Sequence, residues 1–169
     1  VAALFGTSLG GGYEITLACH YRIANARTRI GFPEVTLGII PGAGGTQRLP
    51  RLIGAEKALE MIISTKMLDA KTALEYGAID RIADGDVTAA AIEYAKELVA
   101  GGKGPRRTSE MNVKPETATA EIFAAAEATA KKLYPNRIAA QTAVTAIRTA
   151  TEKPLNEGLA VEEKLGNDS

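Results

Sequence analysis

Apolar residues along this chain occur in two kinds of segment, short runs near the beginning and longer stretches with helical spacing farther on. Short runs bounded by glycine, proline or asparagine are typical of strands, and apolar positions three or four residues apart are typical of helices. The pattern predicts strands at residues 1–5, 21–24, 29–32 and 79–83. It predicts helices at residues 14–20, 46–52, 55–64, 70–76, 87–100, 115–133 and 137–152. Strands and helices therefore alternate before residue 100, and helices alone follow.

Glycine, proline and capping residues mark the boundaries of these elements. Asp69 is a suitable N-cap for the helix at 70–76, and Gly77 is a suitable terminator. Residues 6–12 are predicted to form a glycine-rich turn. The stretch 101–107 combines glycine, proline and arginine, which predicts a linker. The predicted organisation is a core at residues 1–100, a linker at 101–114 and a helical region at 115–169.

Composition narrows the classes of partner that the chain can have. Hydrophobic residues make up 46% of its 169 residues, which is enough for a sizeable core. The 20 basic residues balance the 20 acidic ones, so charge gives no reason to expect nucleic acid or an anionic membrane. The apolar runs are too short to cross a bilayer. Cys19 is the single cysteine, which excludes an internal disulfide and fits a reducing compartment, so a cytoplasmic location is expected.

The glycine-rich segment at residues 9–14, LGGGYE, is the first stretch with chemical potential. Glycines let a backbone approach a ligand closely, and N–H groups at the start of a helix lie at the positive end of its dipole. Such amides suit a developing oxyanion, and Glu14 falls beside them in the first helical turn. An ordinary strand-to-helix turn, in which Glu14 only favours the helix, explains the same residues.

Two later segments add a second carboxylate and a second group of glycines. Glu34 follows Pro33, whose ring fixes the backbone directly before the carboxylate; an exposed loop glutamate is the alternative interpretation. The stretch at residues 38–49 places several glycines around Pro41 and Gly42. These residues suggest close backbone packing beside a pocket, or a scaffold beneath one.

Together, three motifs resemble the signature of the crotonase (enoyl-CoA hydratase/isomerase) superfamily. They are GGGYE at residues 10–14, GFPE at 31–34 and PGAGGTQRL at 41–49. FGT at 5–7, CHYR at 19–22 and PLNEGL at 154–159 are similar to the hydratase portion of bifunctional fatty-acid oxidation proteins. The resemblance implies an α/β fold of the crotonase type, a partial spiral of ββα units with a carboxyl-terminal helical region.

The resemblance also implies a site and a reaction. Glu14 and Glu34 are expected to be catalytic carboxylates that hold a water between them, one as base and the other handling the proton at the α-carbon. Gly11 is expected to donate its N–H to the thioester oxygen. Residues expected to contact substrate are Gly10, Gly12, Pro41 and Gly42. The expected activity is hydration of a 2-enoyl-CoA in fatty-acid β-oxidation, with double-bond isomerisation as a second activity.

The implied partners are few. The substrate is an acyl-CoA thioester, and coenzyme A is part of that substrate, so no metal or other cofactor is expected. A homo-oligomer, either trimer or hexamer, or a place in a larger bifunctional chain is expected, with no nucleic acid and no membrane. Arg48 and Arg51 are candidates to meet the coenzyme A phosphates, although solvation of surface arginines is the commoner alternative.

The first residues, from Val1 onward, read as a strand already under way. The chain is therefore predicted to lack the amino-terminal segment that, in the family, supplies the second oxyanion N–H and much of the coenzyme A site. Weak or no hydratase activity is expected of this chain alone. The alternatives are a non-catalytic crotonase-fold fragment or interaction module, and another acyl-CoA isomerase or hydrolase. The pair Glu14 and Glu34 favours hydration, because an isomerase can work with one carboxylate.

Overall fold

The structure is a computed structural model that describes residues 1–168. Its strands are all short and precede the long helices of the carboxyl-terminal part. The strands are β1 (Ala2–Leu4), β2 (Thr7–Leu9), β3 (Arg22–Asn25), β4 (Arg29–Gly31), β5 (Leu68–Asp69) and β6 (Arg81–Ala83). The α-helices are α1 (Gly11–Ala18), α2 (Gly45–Ile53), α3 (Ala55–Ser64), α4 (Ala70–Tyr76), α5 (Val87–Ala100), α6 (Ala120–Leu133), α7 (Ala139–Glu152) and α8 (Leu155–Asn167). Short 3-10 helices cover Glu34–Leu37, Thr108–Glu110 and Pro115–Thr117.

The strands form two small sheets that alternate along the chain. One sheet has the order β1-β3-β6 and is parallel, with Ala3 opposite Ile23 and Ala24 opposite Ile82. In the other sheet β2 pairs in parallel with β4, and β4 pairs antiparallel with β5. The pair β1 and β2 leads to α1, and the pair β3 and β4 leads to the first 3-10 helix and α2. The predicted α/β fold with repeated ββα units is therefore confirmed.

One hydrophobic core joins the strands and the early helices to the carboxyl-terminal helices. α7 packs against α2, α3, α6 and α8. Its inward face carries the buried residues Ala140, Ala143, Val144 and Ile147, whose mostly small side chains let neighbouring helices approach closely. These residues belong to the same core cluster as Leu17 of α1. The carboxyl-terminal helices thus support the part of the chain that holds the predicted site.

Several predicted elements have the predicted bounds because their signals are local. The helices predicted at 55–64 and 87–100 coincide with α3 and α5. The Asp69 side chain caps α4 by accepting a hydrogen bond from the Thr72 N–H at 2.8 Å. Gly77 ends that helix with a φ of 80°, a left-handed conformation that favours glycine.

Other predictions of secondary structure are wrong. Thr7–Leu9 forms β2 inside the stretch predicted as a turn, because it pairs with β4, which lies beyond α1 and β3. The helix predicted from residue 115 begins at Ala120, since the Thr119 side chain caps it there. α8 lies in the predicted helical region at 115–169, but the sequence predicts no separate helix there, because Pro154 precedes it and Asn156 and Gly158 within it are poor helix formers.

The stretch predicted as a linker, residues 101–114, contacts the core through Arg106. The Arg106 guanidinium donates to both carboxylate oxygens of Asp80 at 2.6 and 2.8 Å and lies over the Tyr21 ring. Thr108 in the same stretch is buried. The division into core, linker and helical region stays a prediction. No helix among residues 1–168 is both long and apolar enough to cross a membrane.

Candidate active site

The glycine-rich segment links the end of β2 to the start of α1. The Gly10 N–H donates to the Gly31 carbonyl at 3.0 Å, which extends the pairing of β2 with β4. Gly10 has a φ of 53°, so the turn into the helix requires glycine. The N–H groups of Tyr13 and Glu14 both donate to the Gly10 carbonyl. The amides of Gly11 and Gly12 precede that first helical bond and lie at the exposed, positive end of α1, as an oxyanion donor requires.

Glu14 lies in the first turn of α1 with its carboxylate directed at the start of α2. Its side chain is buried, and Oε1 accepts hydrogen bonds from the N–H groups of Ala43 at 2.8 Å and Gly45 at 2.7 Å. Burial raises the pKa of the Glu14 carboxyl, and the two amide bonds oppose that rise. A Cβ at Gly45 would lie 2.7 Å from Oε1, so only glycine permits this approach.

Glu34 begins the 3-10 helix that follows β4 and Pro33, and its side chain is buried rather than exposed in a loop. Oε2 is buried and has no hydrogen-bond partner within residues 1–168. Burial, together with the negative charge of Glu14, raises the pKa of the Glu34 carboxyl. The two carboxylates therefore influence each other, and the ionised form of each is disfavoured by burial.

Both carboxylates face the glycine-rich segment. A Cβ built on Gly10 would lie 2.5 Å from Glu34 Oε1, and a Cβ on Gly11 would lie 4.0 Å from Glu14 Oε2. The structure thus brings together four of the predicted site residues from two separate motifs. Two buried carboxyl groups beside the amides at the start of α1 can exchange protons with a bound molecule while the amides stabilise negative charge on it.

The remaining predicted substrate contacts flank this arrangement. Gly12 is exposed in the first turn of α1. Pro41 is buried, and a Cβ on Gly45 would lie 3.0 Å from its Cβ, so Pro41 helps to enclose the Glu14 carboxylate. Gly42 is exposed, directly before the Ala43 amide that binds Glu14. These positions border the site, and their contact with substrate stays a prediction.

Glu162 is a third buried carboxylate that the sequence analysis missed. It lies on α8 with 1% of its surface exposed, and it accepts hydrogen bonds from the N–H groups of Gly44 at 2.7 Å and Thr46 at 3.0 Å. Carboxylates from two other helices, Glu14 and Glu162, thus accept hydrogen bonds from the N–H groups at the start of α2. A signal existed, because Glu162 shares helical spacing with the buried Leu155 and Gly158. A glutamate on an inward helix face needs a partner.

Arg51, a candidate for the coenzyme A phosphates, and Tyr13, which precedes Glu14, both have structural roles. Arg51 is buried, not solvated, and donates to the carbonyls of Gln47 at 2.6 Å and Lys153 at 2.7 Å. The Tyr13 hydroxyl donates to the Ala78 carbonyl at 3.0 Å, and burial raises the pKa of this phenol. Both side chains are therefore buried and hydrogen-bonded to backbone carbonyls.

The chain is similar in sequence to one known family and to several known proteins. The sequence profile described as "Enoyl-CoA hydratase/isomerase" matches residues 1–134. A peroxisomal bifunctional enzyme of Cavia porcellus is 41% identical over 165 residues, which are 98% of this chain and 23% of that protein. A glyoxysomal fatty acid beta-oxidation multifunctional protein of Cucumis sativus is 38% identical over 164 residues, 94% of this chain and 22% of the relative.

A solved structure with a similar fold is the enoyl-CoA hydratase of Bacillus anthracis. It is 33% identical, superposes with a TM-score of 0.54, and is matched over 95% of this chain and 49% of its own. The chain thus spans about a quarter of the length of the two curated relatives. It spans about half the length of that solved structure.

Proposed function

The chain belongs to the enoyl-CoA hydratase/isomerase family, and from that membership we propose that it carries the catalytic carboxylates of an enoyl-CoA hydratase. The reaction is addition of water across the double bond of a 2-enoyl-CoA thioester. The observation that carries the proposal is the convergence of two buried carboxylates, Glu14 and Glu34, on the glycine segment at the start of α1. A single carboxylate would serve isomerisation, whereas two suit the addition of water.

The proton transfers follow from the unequal surroundings of the two carboxyls. One ionised carboxylate takes a proton from water as the water oxygen bonds to the β-carbon, and the other carboxyl gives its proton to the α-carbon. Burial raises the pKa of both Glu14 and Glu34, which favours the protonated form that a proton donor requires. The Gly11 N–H stabilises the enolate-like oxygen of the thioester while charge develops there.

The proposed substrate carries its own activating group. The thioester of coenzyme A withdraws electrons from the conjugated double bond and makes the β-carbon electrophilic, so the reaction as written requires no metal and no redox cofactor. By analogy with the names of the relatives, we propose a role in fatty-acid β-oxidation, with double-bond isomerisation as a second activity of the same carboxylates.

The assembly and the cellular location of the whole protein are also proposals. We propose that the chain works in a homo-oligomer or as part of a longer bifunctional protein, like the bifunctional relative. The cytoplasmic location expected from the sequence stays a prediction; the peroxisomal and glyoxysomal names of the relatives offer the alternative. Fractionation of cells that express the protein from its complete reading frame distinguishes these locations.

Product analysis tests the proposed function. The protein from the complete reading frame is incubated with a short 2-enoyl-CoA, and the products are separated by chromatography. We expect 3-hydroxyacyl-CoA to accumulate with coenzyme A still attached. Movement of the double bond without water addition would replace the hydratase with an isomerase, and release of free coenzyme A would replace it with a hydrolase. No conversion at all would favour a non-catalytic module.

A further inference from the structure

The start of α2 holds two carboxylates from different helices in an alternating pattern. The N–H groups of Ala43 and Gly45 donate to Glu14, which lies on α1. The N–H groups of Gly44 and Thr46, which alternate with them, donate to Glu162 on α8. Four consecutive amides are thus divided equally between Glu14 and Glu162.

Glu162 is held firmly in its half of this arrangement. Besides the two amides, it accepts a hydrogen bond from the Thr46 hydroxyl, and the Gln47 side-chain amide donates to that hydroxyl at 3.0 Å. The Gln47 amide is held in turn by the Ala146 carbonyl at 2.8 Å. Three donors therefore converge on Glu162, and α7 fixes the Gln47 side chain through the Ala146 carbonyl.

We propose that Glu162 is a positioning residue that fixes the Glu14 carboxylate for catalysis by occupying the alternate amides of the same peptide segment. This inference rests on the proposed function for its kinetic consequences, because it assigns Glu162 a role in that site. Glu162 has no contact with reacting atoms in the proposal, and it acts through the loop at residues 43–46.

Glu162 can position Glu14 because both carboxylates can accept hydrogen bonds from the same peptide segment. Without Glu162, the Gly44 and Thr46 N–H groups would be buried without acceptors. The adjoining segment is rich in glycine, so it can rotate and offer those amides to Glu14 instead. Glu14 would then follow the loop away from Glu34, and misplacement by about 1 Å can lower a rate about 100-fold.

Burial and nearby charges affect the pKa values of both Glu14 and Glu162. Burial raises the pKa of Glu162 to about 7, and the charge of Glu14 adds to that effect. Arg48 on α2 acts on Glu14 in the opposite sense. Arg51, also on α2, is bonded to two backbone carbonyls instead. The negative charge of Glu14 therefore disfavours ionisation of Glu162 across the shared peptide segment.

The first test is made on this chain without any turnover. The amide proton shifts of Ala43 and Gly45 report their hydrogen bonds to Glu14 and are measured by NMR in wild type, Glu162→Gln and Glu163→Gln. Glu163 is the matched control, because it is the next residue on α8 and is exposed. We expect both shifts to move upfield in Glu162→Gln and to stay unchanged in Glu163→Gln. Equal shifts in the two variants would overturn the proposal.

The second test separates positioning from simple stabilisation. Hydration of a short 2-enoyl-CoA is measured with the protein from the complete reading frame, per folded active site. We expect Glu162→Gln to lower kcat by about 100-fold with little change in KM, because substrate contacts remain while Glu14 is misplaced. Thr46→Val removes one donor to Glu162 and keeps all four amides, so it should lower kcat less.

Two outcomes of the kinetic test are decisive. If Glu162→Gln lowers only the amount of folded protein, and its kcat per folded site equals that of Glu163→Gln, the positioning role is overturned. If wild type itself fails to hydrate, the proposed function fails, and the amide shifts of Ala43 and Gly45 alone decide whether Glu162 fixes Glu14.

Discussion

Replacement of Gly10 with alanine is predicted to move the Glu34 carboxylate and to strain the backbone at residue 10. The new Cβ would lie 2.5 Å from Glu34 Oε1, whereas Cβ contacts shorter than 3.0 Å are essentially not observed. The carboxylate must therefore move by about 0.5 to 0.9 Å to reach ordinary contact distance. The contact is with the end of a flexible side chain, so the movement itself is cheap. The backbone at Gly10, with its positive φ, adds strain of about 1–3 kcal/mol.

Gly6→Ala is the matched control for this change. Gly6 also has a positive φ, of 68°, but a Cβ there would meet nothing within 4 Å. Both variants should lose about 1–3 kcal/mol in free energy of unfolding, measured by urea denaturation. Only Gly10→Ala should lower the rate of hydration per folded protein, by about 100-fold.

The assay compares the two alanine variants with wild type at equal concentrations of folded protein. Initial rates of water addition to a short 2-enoyl-CoA are followed by loss of enoyl absorbance in the protein from the complete reading frame. If Gly10→Ala and Gly6→Ala hydrate equally well, then the placement of Glu34 beside Gly10 does not matter for catalysis. The reasoning that assigns Glu34 to the site would be refuted.

Three further changes test other contacts. Gly45→Ala should lower the free energy of unfolding by about 1–3 kcal/mol, because the new Cβ would crowd its neighbours. It would lie 2.7 Å from Glu14 Oε1, 2.8 Å from the Phe32 ring and 3.0 Å from Pro41 Cβ. The raised pKa of Glu162, about 7 against an ordinary 4.5, means that the folded state binds its proton more tightly. Stability should therefore fall as pH rises from about 4.5 to about 7, and Glu162→Gln should reduce that fall by about 3 kcal/mol. Tyr13→Phe should cost about 1 kcal/mol through its lost hydrogen bond and leave hydration per folded protein unchanged.

Urea denaturation measures the free energy of unfolding of all three variants, and Glu162→Gln and wild type are measured at several pH values. Gly42→Ala is the control for Gly45→Ala, since its Cβ would lie 3.8 Å from the nearest atom; equal stability of the two would contradict the packing at Gly45. A pH dependence of Glu162→Gln identical to wild type would show that Glu162 does not titrate in this range. A loss of hydration per folded protein in Tyr13→Phe would contradict the purely structural role of Tyr13.

Local signals explain which parts of the fold were predictable. Asp69 and Gly77 act on residues beside them, so their roles as cap and terminator follow directly from the sequence. β2 and β5 are two or three residues long, and only their pairing with β4 defines them. No short window of sequence contains that information.

The site was predictable to the extent that its motifs are compact. Glu14 beside the glycines and Glu34 after Pro33 could be singled out from neighbouring residues. The amides that bind Glu14 lie 29 and 31 residues away along the chain, and their role is visible only in the folded structure. Glu162 is 118 and 116 residues from its partners Gly44 and Thr46. The helical spacing of Glu162 with Leu155 and Gly158 indicates an inward position, but the partners of its carboxylate depend on the packing of α8.

The most direct test of the central claim is the kcat for hydration of a short 2-enoyl-CoA by Glu14→Gln and Glu34→Gln. Each change removes one carboxylate and preserves its shape, in the protein from the complete reading frame, with Glu163→Gln as control. We expect kcat to fall by about 100- to 10,000-fold in each of the two variants and to stay unchanged in the control. Turnover at the control's rate by either variant would contradict the claim that Glu14 and Glu34 act together on water and substrate.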